Sequence, residues 1–473
     1  MQQLLDWLNA ANDFLWTYIC VALLVICALY FTIRLGGLQF TMIGDMLRQL
    51  LRGEDSASQE GAATGKTISP FQAFAVALSS RVGTGNLAGV ASAIAIGGPG
   101  AVFWMWLMAL LGSATAFVES TLAQLYKRKG EDAYYGGPAY YMQHGLHRRW
   151  MGVLFAVLIT VTFGMANQMV QSNTLCDMMS DSLHVDIRWV GAVITVMAMA
   201  IIFGGIQRIS HFAALCVPFM AVGYLIISVV VIGMNISLVP DVLRLIVNEA
   251  FGIGPAAGGM VGTAILQGVK RGLFSNEAGE GSAPNAAAIA STSHPVKQGL
   301  LQALGVFTDT LVICSCTAFI ILLSGLYDNG ADGIILTTQA LESEIGPTGR
   351  WFITVAIFLF AFSTIIANYF YGETNIRFVA GSDSRRYVLA FRIITGCVVL
   401  AGSFMTLQTA FSIVDIFMGL MTVTNLIAIW LLFPKVQTLL KDYKAQKKAG
   451  KNPTFKKTIF TPEIQADLES WDA

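Results

Sequence analysis

Two glycine-rich stretches decide the fold: Val82-Gly83-Thr84-Gly85-Asn86, inside the apolar run 71–96, and Gly268 to Gly281 (GVKRGLFSNEAGEG), inside the apolar run 256–290. Each puts a polar break into a helix otherwise apolar enough for lipid. Unwound backbone leaves N–H and C=O groups unpaired, which hydrocarbon cannot satisfy, so such breaks persist only where they line a cavity or bind a ligand. Two of them in corresponding positions of two halves mark the substrate site of a secondary transporter.

The surrounding chain agrees. Of its 473 residues 55% are hydrophobic and 12% charged, with a mean hydropathy of +0.64, the composition of a polytopic membrane protein. Measured against the ~20 residues that cross a bilayer, the apolar stretches predict eleven spans: 14–33, 71–96, 100–126, 150–175, 188–206, 212–234, 256–290, 300–325, 350–371, 387–406 and 411–433. Of the 29 Lys and Arg, 22 fall in loops of one side and only Arg188, Arg244 and Arg350 on the other. The positive-inside rule then places the N-terminus outside and the C-terminus in the cytoplasm. Residues 1–13 hold two Asp and no Lys or Arg, and no small-residue cleavage site follows, so the first apolar run reads as a retained helix.

Setting the first span aside leaves ten, with breaks in the first and sixth. Two five-helix units follow, and an odd number of helices per unit forces opposite orientations: an inverted repeat. The predicted organisation is an extra N-terminal helix at 1–34, a cytoplasmic amphipathic segment and linker at 35–70, repeats at 71–234 and 235–433, and a solvated Lys-rich tail at 434–473.

Thr84 and Gly85 amides at the start of the second half-helix favour a carboxylate. Asn86 offers an oxygen to a cation and an amide to a substrate. Phe274-Ser275-Asn276 supplies the facing surface, with Phe274 as a wall and Asn276 able to bridge to the carboxylate. Phe163 and Gln171 share one helix and are expected to cap the pocket. Gly83-Thr84-Gly85-Asn86 with Gly89 mimics a dinucleotide loop, but it sits mid-membrane with no preceding strand. The intramembrane acids Glu119, Glu277, Glu280 and Asp309 are expected to balance Arg81, Lys270 and Arg271, either as an ion-coupling network or as register-fixing pairs. Arg81 can reach a vestibule, pair with Glu119 or Glu277, or stand beside an ion site. The seven cysteines and five histidines show no metal spacing and are assigned no chemistry.

These residues carry a resemblance. Gly97-Gly98-Pro99-Gly100-Ala101-Val102-Phe103-Trp104-Met105-Trp106 ending at Gly112, VGTGN at 82–86, FSNEAG at 274–279 and Gly136-Gly137-Pro138 are similar to the alanine or glycine:cation symporter (AGCS) family over essentially the whole length. The resemblance implies an all-α LeuT-type 5+5 inverted repeat of the amino acid–polyamine–organocation superfamily. It implies substrate contacts from Thr84, Gly85, Asn86, Gln171, Phe274, Ser275 and Asn276. By analogy with the wider fold, sodium would lie between the carbonyls of Ser79 and Val82 and the hydroxyls of Ser363 and Thr364. The sequence departs at Ala367-Asn368-Tyr369, where the family pattern has a Gly-Trp pair, so the side-chain wall is expected to be wider or more polar.

The expected function is symport of alanine or glycine with Na⁺ across a bacterial inner membrane by alternating access. Proton coupling through Glu119, Glu277 or Asp309, or a glutamine or serine preference, is the nearest alternative. A channel would need a continuous polar lining and an enzyme a nucleophile–base pair or metal set. Neither pattern is present, and no cofactor or nucleic-acid partner is expected.

Overall fold

The computed structural model describes residues 10–52, 67–130, 133–253, 261–381, 384–405 and 407–471. The predicted linker at 53–66 and the start of the second broken run at 256–260 lie outside them. Among the described residues the chain is helical apart from one short hairpin, in which β1 (Arg128–Lys129) pairs antiparallel with β2 (Tyr134–Tyr135).

The helices are α1 (Ala10–Arg34), the short α2 (Leu38–Thr41) and α3 (Ile43–Arg52), α4 (Pro70–Arg81), α5 (Gly85–Gly97), α6 (Gly100–Leu125) and α7 (Pro138–Gly145). They continue with α8 (Arg149–Leu183), α9 (Ile187–Ile202), α10 (Gly205–Met234), α11 (Val239–Ala250), α12 (Val261–Asn276), α13 (Ala283–Ala288) and α14 (Pro295–Leu323). The last are α15 (Gly333–Ile345), α16 (Pro347–Ala380), α17 (Ser384–Gly402), α18 (Leu407–Lys448) and α19 (Pro462–Ala466).

Seven of these, α1, α6, α8, α10, α14, α16 and α18, are long and apolar enough to cross a membrane as single rods. The chain is therefore built as a multi-pass membrane protein. The other four predicted stretches are helical but not simple spans: 71–96 and 256–290 are each split in two, α9 is short, and α17 opens on Ser384-Arg385-Arg386.

The two interrupted helices lie side by side and run in opposite directions. Ile68, just before α4, bridges to Ala290, just after α13, and Ser291 N–H donates to Ile68 O at 2.9 Å. Midway, a Cβ on Gly85 would stand 3.1 Å from the Phe274 ring and 3.3 Å from Ser275 Cα. At the far end, Gly97 faces Gln267 and Ala264, at 3.0 and 3.3 Å for the same imagined atom. Rising numbers on one helix meet falling numbers on the other, and both breaks come to one level.

Local chemistry fixes where the first helix starts and stops. Ser69 caps it in a capping box: Gln72 N–H donates to Ser69 Oγ at 3.1 Å, Ser69 N–H to Gln72 Oε1 at 2.9 Å, and Pro70 stands at the first helical position. The helix ends at Arg81, where Val82 leaves helical geometry. It resumes at Gly85 in a π-turn, so Gly85 and Asn86 belong to the second half-helix and the unwound part is only 82–84.

The second break is displaced from its predicted position. α12 continues to Asn276, so Gly268 to Phe274 are helical and the unwound stretch is 277–282. Gly268 serves packing instead: a Cβ there would lie 2.5 Å from Ala101 O. In the break itself Glu277, Gly279 and Gly281 all take positive φ, at 58°, 97° and 85°. Glycine suits two of these positions; Glu277 is held against its preference by hydrogen bonds.

Lys270 and Arg271 do not help balance the four acids of the core, as the sequence leads one to expect. They face Asp415 of α18 instead, at 2.7 and 3.6 Å, while Trp16 Nε1 donates to the Asp415 carbonyl at 3.0 Å. Asp415 stands at the start of the last predicted span and is absent from the set of acids expected to matter. The tail also departs from expectation, for it folds back rather than staying solvated. Phe455 N–H donates to Ser293 O at 2.8 Å, Ser470 Oγ to Lys127 O at 2.8 Å, and Trp471 Nε1 to Leu125 O at 3.1 Å, with Phe455, Leu468 and Trp471 all buried.

Removing one partner from a buried ion pair leaves an uncompensated charge, at a cost of about 3–5 kcal/mol. Asp415→Asn strands two cations and is expected to destabilise the detergent-solubilised protein by about 3 kcal/mol; thermal unfolding against the parent protein measures it.

Candidate functional site

The unwound 82–84 segment and the C-terminal end of α12 face each other across a buried polar seam. Gly83 N–H turns away from the helical pattern toward Arg81 O (3.0 Å) and Asn86 Oδ1 (2.9 Å). Thr84 N–H donates to Gln171 Oε1 of α8 at 3.0 Å, and Gln171 is steadied by donating to Asn167 Oδ1 at 2.9 Å. A side-chain amide oxygen thus takes the acceptor position on the Thr84 N–H. Thr84 Oγ1 is buried with no hydrogen-bond partner.

Asp309, in a π-helical stretch of α14, joins the two breaks. Asn86 Nδ2 donates to one carboxylate oxygen at 2.7 Å, and Ser275 Oγ and Thr310 Oγ1 donate to the other at 2.8 and 2.9 Å. Asn276 joins this network through Thr310: its amide nitrogen donates to Thr310 Oγ1 at 3.1 Å, and its oxygen accepts from Ala278 N–H at 3.0 Å. Cys314, expected only to pack, lies within hydrogen-bonding reach of Asn86 (3.3 Å) and Ser275 (3.2 Å).

A second cluster forms beside the first break, where Thr364 and Gln171 both face Gly83. Thr364 Oγ1 of α16 lies 2.8 Å from Ser79 O, 3.3 Å from Val82 O and 3.0 Å from Phe360 O. One hydroxyl proton serves one of three carbonyls, and Ser79 O has lost its helical donor because Gly83 N–H points elsewhere. Oxygen atoms short of donors, gathered around a hydroxyl, suit a hard monovalent cation. Ser363 is oriented differently: its hydroxyl donates to Phe360 O at 3.0 Å, and its own carbonyl accepts from Ser79 Oγ at 3.0 Å.

Glu277 and Glu119 hold the second break. Glu277 accepts from Ser282 Oγ at 2.6 Å and from Ser80 Oγ, tying the unwound strand to α4. Asn368, the residue that departs from the family pattern, lies 2.7 Å from Ser80 Oγ. Glu119 accepts from Gly279 N–H at 3.2 Å and from Asn425 Nδ2 at 2.7 Å, while the same Asn425 amide reaches Gly279 O at 2.9 Å. Arg81 forms no ion pair with Glu119 or Glu277. It is 1% exposed, donates to Gln302 O at 3.3 Å, and leaves Nε and Nη2 without partners.

Of the residues expected at the site, Thr84, Gly85, Asn86, Gln171, Phe274, Ser275 and Asn276 meet in the seam. Phe163 stands apart, its ring against Tyr371 at 5.5 Å, and Phe274 packs on Phe411 at 5.5 Å. Asn167, Thr310, Cys314 and Asn425 are not anticipated by the sequence pattern. Asn167 and Asn425 leave a visible signal there, each as an amide inside an apolar span.

Unwound helix pairs, a buried polar seam and an oxygen cluster beside it are the features of a membrane transporter. Residues 1–457 match the sodium:alanine symporter family, and the chain belongs to it. It is 50% identical over 473 residues to the "Probable sodium/glutamine symporter GlnT" of Bacillus subtilis, covering 100% of this chain and 97% of that one. It is 48% identical over 467 residues to the amino-acid carrier protein AlsT of Bacillus subtilis (98% and 97% covered). To the sodium/proton-dependent alanine carrier protein of Bacillus sp. strain PS3 the identity is 38% over 404 residues (82% and 91% covered).

A side chain at Gly83 would clash at 2.5 Å with Thr364 Oγ1 and at 2.9 Å with Gln171 Oε1, and one at Gly85 would press on the Phe274 ring. Gly83→Ala and Gly85→Val are each expected to reduce amino acid uptake in proteoliposomes at least tenfold while the protein still elutes as a folded species in detergent. Wild-type uptake by either variant would remove the seam from the transport path.

Proposed function

We propose that the protein imports a small neutral amino acid, alanine or glycine, together with Na⁺ by alternating access, on a LeuT-type 5+5 inverted repeat with one extra N-terminal helix and eleven spans. The observation that carries this reading is the antiparallel pair of interrupted helices whose breaks meet at one level, each lined by polar groups of the other. In this reading α4–α5 and α12–α13 are the first helices of the two repeats. The N-terminus lies outside and the C-terminus in the cytoplasm of a bacterial inner membrane.

The substrate carboxylate takes the Thr84 and Gly85 amides in place of Gln171 Oε1. Its ammonium group is received by the carbonyls freed at the end of α12 and by the oxygens of Ser275 and Asp309. Phe274, pressed close to Gly85, limits the side chain to hydrogen or methyl. A methyl group adds only about 0.8 kcal/mol by burial, so alanine and glycine are expected to compete within about a decade of each other. Sodium lies among Ser79 O, Val82 O and Thr364 Oγ1, with Ser363 supporting that wall through its carbonyl. One charge entering at 100 mV supplies ~2.3 kcal/mol, about 45-fold accumulation before any sodium gradient.

A glutamine preference is the second reading. It is favoured by the relative named for sodium/glutamine symport at 50% identity and by Asn368, which brings an amide where the family pattern has an aromatic ring. Proton coupling through Glu119, Glu277 or Asp309 is compatible with the relatives named sodium/proton-dependent.

Counterflow of labelled alanine in proteoliposomes, competed by unlabelled amino acids, decides the substrate: alanine and glycine are expected to inhibit best, and glutamine inhibiting better than glycine overturns that assignment. The ion is decided separately. Thr364→Val, which keeps shape and removes the hydroxyl, is expected to raise the sodium concentration for half-maximal uptake about tenfold or more with a smaller change in substrate affinity; an unchanged sodium titration places the ion elsewhere.

A further inference from the structure

Away from the transport seam, α16, α17 and the β1–β2 hairpin border an open cavity of about 920 Å³ lined by Arg128, Lys129, Arg377, Arg385 and Arg392. Two carboxylates among the described residues partly neutralise it: Glu373 pairs with Arg377 (2.6 Å) and Arg392 (3.6 Å), and Glu469 pairs with Arg128 (2.5 Å). Lys129 and Arg385 have no carboxylate within ion-pair distance among those residues and are exposed. The loop acids Glu131, Asp132 and Asp383 flank this lining in sequence and lie outside the described residues.

The rim is as informative as the lining. Along α17, Arg385, Leu389 and Ile393 follow one another at helical spacing on one face, a cation followed by two exposed apolar side chains. Phe203, 51% exposed, stands across from them with the Arg392 guanidinium 5.6 Å from its ring. A basic chamber continuing into an exposed apolar stripe at the end of membrane helices matches an amphiphile with an anionic head. A soluble anion would use the chamber and leave the stripe unexplained.

We propose that this cavity binds the phosphate headgroup of an anionic diacyl phospholipid, with the acyl chains lying along Leu389, Ile393 and Phe203. Arg377 and Arg392 form the floor, already oriented by Glu373, and Lys129 and Arg385 are the two charges that phosphate neutralises. Basic pockets between transmembrane helices are a recurrent setting for such headgroups. The assignment is independent of which amino acid or ion is transported.

The test is binding of phosphatidylglycerol to the detergent-purified full chain, with phosphatidylethanolamine as the zwitterionic comparison and inorganic phosphate as a competitor. Phosphatidylglycerol is expected to bind in preference to phosphatidylethanolamine. The double variant Lys129→Gln/Arg385→Gln is expected to bind it about thirtyfold more weakly, roughly fivefold for each charge lost. Lys451→Gln/Lys456→Gln, two exposed tail lysines removed at equal charge cost, is expected to bind as the parent does. Equal losses in both double variants, or none in the first, overturn the proposal, the latter meaning that the chain's own loop acids neutralise the pocket. Inorganic phosphate displacing the lipid at equal concentration overturns the lipid assignment in favour of a soluble anion. Both altered residues in each variant are exposed, and an unchanged unfolding temperature confirms that folding is intact.

Discussion

Backbone that leaves helical geometry inside hydrocarbon must find its hydrogen-bond partners within the protein. Here that constraint organises the core. Each break is satisfied by side chains of its own helix or of helices that cross it: Asn86 turns back to accept from Gly83 N–H, Gln171 of α8 takes the Thr84 amide, and Glu119 of α6 with Asn425 of α18 takes the Gly279 amide and carbonyl. The breaks therefore hold the bundle together as much as the bundle supports them. Asp309, accepting from Asn86 of one broken helix and Ser275 of the other, is the point where the two become a single polar unit.

The same accounting separates the groups available to ligands from those committed to structure. Glu119 and Glu277 commit their oxygens to holding the second break. The Ser79 and Val82 carbonyls share one hydroxyl proton, and the Thr84 amide is met by the Gln171 side-chain amide, which in the proposed function a carboxylate displaces. In the proposed function cation and substrate both contact the first break, where Thr364 Oγ1 and Gln171 Oε1 already crowd the same face of Gly83, so that ordering the loop for one orders it for the other. Coupling of this kind needs no long pathway.

Much of this is legible in the sequence because glycine and polar residues are costly inside an apolar run unless the helix opens there or a partner meets them. The first break falls within two residues of its predicted place, and the residues VGTGN and FSNEAG do meet. The second lies later than its glycines suggest, because Gly268 and Gly272 look like break residues but serve close packing on α6, a use that leaves the same mark in sequence. Asp415 gives no warning because it lies near the start of its span, where an acid carries no obvious penalty, and its partnership with Lys270 joins residues far apart in the chain. The tail's docking is hidden by its lysines, which read as solvated while Phe455, Leu468 and Trp471 between them make the contacts. Arg81 is the residue where neither pairing expected from sequence holds: its one hydrogen-bond partner among the described residues is a backbone carbonyl of α14 that no sequence pattern announces.

The contact between Trp16 and Asp415 spans 399 residues, and it bears on the order in which the molecule is made. Helices enter the bilayer one after another as the chain is synthesised, so α1 arrives long before α18 exists. Until then the Trp16 indole N–H lacks its carbonyl partner, and Lys270 and Arg271 reach the membrane with no acid waiting for them. Insertion and final assembly are therefore separate events for this protein. In the interval an early helix and a charged half-helix depend on interim shelter from lipid headgroups, water or the insertion machinery.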